Sequence, residues 1–469
     1  MCVVYMHIVD AQAQPLSFPL CQDAFFNSIY NATECDKSIS FGQDIPSTNL
    51  KNLYIRKCYK TIASSITSGI NKVIITGTPG IGKSLFLIYL LWKLVKGGQR
   101  VLFIYHPVNV YYDGRGGVFM LVNFPPYIYS SFWNDTLWCL FDAKGKNEAH
   151  LSDLPYGYCK FVLSTSPRRV LVNDFRKPPV PQEFYMPTWS KAELEVIAPF
   201  YPNATEWRDR FENLGGIPRH VFEVTTRSPT QMLEAACMDC SLNDCIKKIG
   251  INSMITEKSK VVHLLVHVTS TTPYTDSSVC YASQTALNLI VRHNGIEAKR
   301  RMHELLASCQ GNPLIAALCG YIFEQYAIEM LEKGGSFDCR KLVGGFKKIK
   351  PNETNGFKRI KPNETKLDIP SSIKTVVDKV ALNQTRNQLH VPKTTNYAAI
   401  DAWIPGIGAF QMTVGKKHDI KASVKKNLAM LGQGANKLYW LLPPLHYDSF
   451  TKKSPRSIEQ YAVRIPYPD

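Results

Sequence analysis

Apolar and polar positions change period several times along the chain, and each change predicts an element. A β-branched run from Val73 to Thr76 leads into a glycine-rich turn and then into the strongly apolar SLFLIYLLWKL, the pattern of a buried strand feeding a buried helix. Over residues 51–180 the order helix, strand, glycine-rich turn, helix, strand, hairpin, strand and strand predicts a three-layer α/β sandwich with a mostly parallel sheet. Residues 181–310 look mainly helical, a lid and linker, with Ser190-Lys191-Ala192-Glu193 as a capping box. Residues 1–50 have mixed polarity and little periodicity, which predicts an N-terminal extension with no assigned function. A last domain is expected over 311–469, where strand-like runs at Ala409 to Val414 and Lys437 to Leu442 flank a Lys-rich helical stretch, as in an α/β core. Within it GFKKIKPNET (345–354) recurs as GFKRIKPNET (356–365), a tandem duplication of eleven residues whose composition predicts an exposed basic insertion, 345–365.

Composition narrows the classes. With 469 residues and 45% apolar side chains the chain can bury two or three cores, which excludes a disordered protein. The net charge of +17 is uneven: residues 341–469 hold 22 Lys/Arg against 9 Asp/Glu, while the preceding residues hold 33 against 29. A field of that sign on the last quarter suits a polyanion such as nucleic acid, a solvated basic surface being the plainer alternative. Thirteen scattered cysteines suit reduced thiols; Cys237, Cys240 and Cys245 form a C-x2-C-x4-C run with no fourth ligand nearby, so free thiols are expected over zinc. No apolar run approaches the roughly 18 residues of a membrane span, so no stable membrane insertion is expected. The opening MCVVYMHIVDAQAQ lacks the basic start of a signal peptide.

The chemistry concentrates at G-x4-G-K-[ST]. Gly77, Gly80 and Gly82 let the backbone curl so that successive amides point inward at phosphates, and the following helix start adds its positive end. Lys83 is placed to reach β- and γ-phosphates and Ser84 to offer its hydroxyl to Mg²⁺, so the expected cofactors are ATP and Mg²⁺. A water-mediated Mg²⁺ ligand is expected at the end of a neighbouring strand. Asp142, closing Leu137-Trp138-Cys139-Leu140-Phe141, fits; Asp113 in Tyr111-Tyr112-Asp113-Gly114 reads as a two-residue hairpin turn. Ala143 stands where many ATPases carry a water-orienting glutamate, for which Glu148 or Asp153 could substitute. Thr165 is a candidate γ-phosphate sensor, or part of an ordinary Ser/Thr-Pro strand exit. Arg219, after Gly215-Gly216-Ile217-Pro218, either closes over the nucleotide or simply begins a helix, and Arg168 or Arg169 could act as a finger in a homo-oligomer.

Together GTPGIGKS, LFDA, STSPR, PTWSKAEL and GGIPRHVF resemble the P-loop ATPase module of the Crinkler effectors of oomycetes and chytrids, which trypanosome retrotransposon hot spot proteins share. Residues 320–342 and 400–421 are similar to the two halves of the restriction-endonuclease-like, PD-(D/E)XK, domain that follows that module, and IEQYAVRIPYP at 458–468 is similar to the Crinkler C-terminus. The resemblance implies a P-loop NTPase with a helical lid followed by a nuclease-like α/β domain, in a secreted effector that acts in the host nucleus and causes cell death. It implies Glu324 and Asp401 as Mg²⁺-binding catalytic acids. Where the family pattern has E-x-K, this chain has Gln411-Met412-Thr413, so Lys416 or Lys417 would supply the lysine, with His418 as a further candidate. Lys416, Lys417, Lys421, Lys425 and Lys426 would form a basic helical face for DNA. Two outputs are open: Mg²⁺-dependent DNA cleavage, or a nucleotide-dependent switch whose nuclease-like domain only binds DNA or a host nuclear protein. The N-terminus departs from the family pattern in not matching the LFLAK-type translocation segment.

Overall fold

The structure, a computed structural model, describes residues 5–10, 13–143, 151, 154–166, 174–223, 225–240, 262–308, 313–342, 364–377, 388–392, 400–415, 428, 437–451 and 457–468. The chain divides into two compact units, Met1–Leu289 and Ile290–Asp469.

The first unit opens on an antiparallel hairpin, β1 (Tyr5–Asp10) and β2 (Ala13–Pro19), and a small antiparallel sheet of β3 (Thr33–Cys35), β4 (Ser38–Ser40) and β5 (Asn52–Tyr54). Between them lies the short helix Ala24–Ser28, whose N-terminal amides are capped by Asp23. It sends Phe25 and Phe26 into the unit's main core, so this aperiodic stretch contributes to the core.

The main sheet comprises β6 (Lys72–Thr76), β7 (Arg100–Tyr105), β8 (Val108–Tyr112), β9 (Val118–Met120), β10 (Leu137–Asp142), β11 (Lys160–Ser164) and β12 (Gln182–Tyr185), in the spatial order β12-β6-β11-β10-β7-β8-β9. The five strands from β12 to β7 run parallel, and β8 and β9 continue antiparallel. Parallel strands are covered on both faces, which is why KVIIT and LWCLFD are buried at every position. On one face Val73, Ile75, Phe103, Leu140 and Val162 pack beneath the Lys57–Thr67 and Lys83–Lys96 helices.

On the other face Ile74, Leu102, Cys139, Phe141 and Leu163 pack against Tyr129, Phe132, Trp133, Leu154 and Phe175, none of which lies on a helix. The expected third helical layer is therefore replaced, among the described residues, by aromatic side chains from connecting segments. Pro125 and Pro126 explain part of this, since proline lacks the amide a helix needs and blocks the preceding turn. The β8–β9 hairpin is also wider than expected. Its connection is Asp113–Gly117, and the Asp113 carboxylate accepts the Arg115 and Gly117 amides (2.7 and 2.8 Å).

After the sheet come helices Lys191–Ile197, Trp207–Leu214, Pro218–Phe222 and Pro229–Met238, the first with the capping box at Ser190 and Glu193. The same region also contains an antiparallel hairpin, β13 (Val266–Ser270) and β14 (Ser277–Tyr281), where helix was expected. Cys237 and Cys240 are buried and form no disulfide among the described residues, whereas Cys245 lies outside them.

The second unit carries the helix Pro313–Lys333 and eight strands: β15 (Gly335–Lys341), β16 (Glu364–Ile369), β17 (Ile373–Val377), β18 (Gln388–Pro392), β19 (Ala402–Ile404), β20 (Gly408–Met412), β21 (Lys437–Leu442) and β22 (Glu459–Arg464). They form one mixed sheet in the order β16-β15-β22-β21-β20-β19-β18-β17. One face buries Trp403, Leu438, Trp440 and Leu442 with Tyr447 and Phe450; on the other the rings of Phe410, Tyr439 and Tyr461 stack in sequence at 5.6 and 5.1 Å. Of the duplicated segment only Glu364 and Thr365, in β16, lie among the described residues. No described helix is long and apolar enough to cross a membrane.

Phe103 sits fully buried at the centre of β7, stacked on Tyr105 at 5.4 Å. Phe103→Ala is expected to destabilise the first unit by about 3–5 kcal/mol, seen as a lower urea midpoint for the full chain.

Candidate functional site

The glycine-rich loop leaves the C-terminal end of β6 and runs into the Lys83–Lys96 helix. Gly77, Gly80 and Gly82 have φ of 141°, 87° and 97°, a region that side chains disfavour. Space excludes larger residues as well: a Cβ on Gly77 would lie 2.9 Å from the Met186 carbonyl oxygen, and one on Gly82 2.8 Å from the Tyr59 hydroxyl. Gly82 is the residue before the helix and offers no side chain to cap it. Among the described residues the Gly82 and Lys83 amides donate no hydrogen bond.

Lys83 is only 9% exposed, and its ammonium donates to the Gly77 and Thr78 carbonyls (2.8 and 3.1 Å). Burial lowers it to about 7; the nearby Asp142 carboxylate opposes the shift and the Arg219 guanidinium adds to it. Three candidates from distant parts of the sequence are thus brought together. Asp142 ends β10, with one strand, β11, between it and β6. Thr165 lies at the end of that strand, its amide donating to Ile75 of β6 (3.0 Å) and its hydroxyl to the Ser166 carbonyl (3.1 Å). Arg219 begins the short helix Pro218–Phe222 and lies against Gly80, 3.0 Å separating its Cβ from where a Gly80 Cβ would stand. Ser84 is half-buried in the first helical turn. Asp113 stays in the hairpin.

Several residues outside the motif hold the loop in place. Thr78 is tied to β13: its hydroxyl accepts the Val268 amide (2.8 Å). The Trp189 indole donates to the Ile81 carbonyl (2.8 Å), and the Tyr59 hydroxyl donates to the Gly82 carbonyl (2.9 Å). Arg56, 1% exposed, stacks over Trp189 at 4.4 Å, pairs with Glu193 at 2.9 Å and donates to the Pro187 and Thr188 carbonyls (both 3.0 Å). Trp189 lies within PTWSKAEL, so the signal was present without a role attached. Arg56 and Tyr59 stand at the start of the Lys57–Thr67 helix, where no motif marks them.

In the second unit Glu324, on the Pro313–Lys333 helix, and Asp401, just before β19, are half-buried. Burial, with the Asp401 charge as a smaller cause, raises Glu324 to about 7; burial raises Asp401 to about 6, against a hydrogen bond from the Met412 amide at 2.7 Å. Gln411 is 4% exposed, and its Oε1 accepts no hydrogen bond among the described residues. Thr413 is buried, its hydroxyl accepting the Gly415 amide (3.1 Å) in the turn out of β20. Lys417, like Lys416, His418, Lys421, Lys425, Lys426, Glu148, Asp153, Arg168 and Arg169, lies outside the described residues. A divalent cation would satisfy the mutually repelling carboxylates and the orphaned amide oxygen, and to that extent these residues fit one. No group of three or more His, Cys, Asp or Glu suited to a metal occurs among the described residues.

A carboxyl group raised in the folded state stabilises the fold below its unfolded value and loses that contribution as pH rises through the folded value. Stability is therefore expected to fall between about pH 4.5 and 7. Glu324→Gln is expected to flatten that slope and to stabilise the chain by about 1–2 kcal/mol at pH 7.5, after discounting for partial exposure. Thermal unfolding followed across this range measures it.

Two curated proteins of Phytophthora infestans are similar to this chain. Crinkler effector protein 15 is 42% identical and Crinkler effector protein 16 is 41% identical, each over 470 residues that take in 98% of this chain and 74% of the relative. No known protein-family profile matches. At that identity and coverage the chain belongs to the Crinkler effector family.

Proposed function

We propose that this Crinkler is a secreted oomycete effector whose first unit binds ATP with Mg²⁺ and whose second unit acts on DNA in the nucleus of a host cell, leading to cell death. One observation carries the nucleotide reading: Lys83, buried behind a glycine cradle, lies within electrostatic reach of both Asp142 and Arg219. The ammonium has only carbonyls as hydrogen-bond partners here, and a triphosphate would give it the anion it lacks. The free Gly82 and Lys83 amides supply donors, and the loop sits where open α/β sheets bind ligands, outside the carboxyl ends of the strands. Ser84 would hold Mg²⁺ directly and Asp142 through water; when bound, the cation would neutralise phosphate charge. Thr165 and Arg219 are the groups positioned to sense the far end of the triphosphate. Turnover would draw on Glu148 or Asp153, because Ala143 supplies no base.

In the second unit Glu324, Asp401 and Gln411 would hold Mg²⁺ beside a DNA phosphate, with Lys417 as the cationic partner. A second reading, a nucleotide-dependent switch whose second unit binds DNA or a host nuclear protein without cutting, is favoured by Gln411 and Thr413. The first removes a charge from the metal site, and the second cannot replace a lysine.

Calorimetry with Mg·ATP tests the first unit. Lys83→Ala is expected to weaken binding at least 100-fold, and retained binding would overturn the assignment. Because the free ammonium sits near 7 and the bound one is favoured by phosphate, wild type is expected to take up close to one proton at pH 8. Affinity should then fall as pH rises from 7 to 9. Plasmid nicking with Mg²⁺ tests the second unit: cleavage by wild type that is lost in Asp401→Ala supports the nuclease, cleavage unchanged in Asp401→Ala sinks it, and binding without cleavage supports the switch.

A further inference from the structure

Resting on the nucleotide reading above, we infer that Tyr59 and Trp189 are positioning residues that set two backbone amides of the loop to receive phosphate. In a trans peptide the carbonyl and the following amide point in opposite directions. The Trp189 indole N–H holds the Ile81 carbonyl at 2.8 Å, which fixes the peptide plane that ends in the Gly82 amide. The Tyr59 hydroxyl holds the Gly82 carbonyl at 2.9 Å, fixing the plane that ends in the Lys83 amide. These are two amides that donate no hydrogen bond among the described residues. Two aromatic donors on one side of the loop thereby turn two successive amides toward the other, the arrangement of an anion-binding nest.

The Gly82 carbonyl also accepts the Phe86 amide at 3.0 Å as the first bond of the helix, so Tyr59 is a second donor to it. Trp189 is the only donor to the Ile81 carbonyl among the described residues. Both donors are themselves held. Tyr59 is fully buried and packs edge-on to Phe86 (5.4 Å), and burial raises its hydroxyl far above the usual range, so it remains a donor. The Arg56 guanidinium covers the Trp189 ring at 4.4 Å, and the Trp189 amide donates to the Gly216 carbonyl (2.8 Å), three residues before Arg219. Preorganised amides need no reorientation when an anion arrives, so losing either donor should weaken phosphate binding itself and leave recognition of base or ribose untouched.

The test uses the full chain with Mg·ATP and, separately, Mg·tripolyphosphate, which has no base or ribose, titrated by calorimetry into wild type, Trp189→Phe and Tyr59→Phe. Each substitution keeps an aromatic ring and removes the donor. The expected result is a loss of about fivefold to tenfold in affinity for both ligands alike, larger for Trp189→Phe. Having two variants keeps the inference falsifiable if one fails to fold. Variants that unfold at lower temperature yet bind both ligands as wild type does would show a purely structural role and overturn the inference. A loss seen with ATP but not with tripolyphosphate would do the same, by placing the effect on base or ribose. Wild type that binds neither ligand overturns the nucleotide reading and this inference with it, whereas wild type that binds both while the variants match it overturns this inference alone.

Discussion

Burying an ammonium group whose hydrogen bonds go to carbonyls is the constraint on which the first unit's site is built. A cation out of water needs an anion or a dense set of oriented dipoles. Lys83 has the second: the Gly77 and Thr78 carbonyls converge on it because glycines allow a backbone path closed to other residues. That path would collapse if the loop were free to relax, and it is held at four successive places. Thr78 is tied to β13, Gly80 lies against Ile217 and Arg219, Ile81 is held by Trp189 and Gly82 by Tyr59. The nearby elements therefore act as a brace around a backbone shape that the motif alone does not stabilise.

The second unit presents the opposite electrostatic problem. There the groups are acceptors: two half-buried carboxyls raised by burial, Glu324 also by the Asp401 charge, and a buried amide oxygen without a donor among the described residues. Among the described residues the first site leaves donors unmatched, the Gly82 and Lys83 amides, and the second leaves an acceptor unmatched, Gln411 Oε1. On the proposed function the first imbalance is relieved by triphosphate and the second by a divalent cation, so neither site is at its electrostatic minimum when empty.

Elements with a strong local signal were legible in the sequence. The apolar runs of β6, β10 and β21, the capping box at Ser190 and the Asp142 strand end follow from patterns a few residues long. Many other strands escaped, β12 and β13 among them. Gln182–Tyr185 is only four residues with two polar positions, and its strand character comes from lying beside β6; Val266–Ser270 forms a strand through pairing with Ser277–Tyr281 inside a region dominated by helical periodicity. Among the described residues the second face of the sheet is covered by aromatic side chains on irregular segments, which a periodicity argument cannot see. At the site, the motif marked the residues proposed to meet phosphate but not those that hold the loop. Tyr59, Arg56 and Trp189 act through contacts spanning 23 to 137 residues of sequence, which no local pattern encodes.

The contact between Gly216 and Trp189 constrains how this part of the molecule can diversify. A Cβ at Gly216 would stand 1.9 Å from the Trp189 carbonyl oxygen, so two backbones touch with no side chain between them. Such a joint has no volume or polarity that substitution could adjust by degrees. Any side chain at Gly216 would have to push the two backbones apart, so the joint tolerates change around it but not within it.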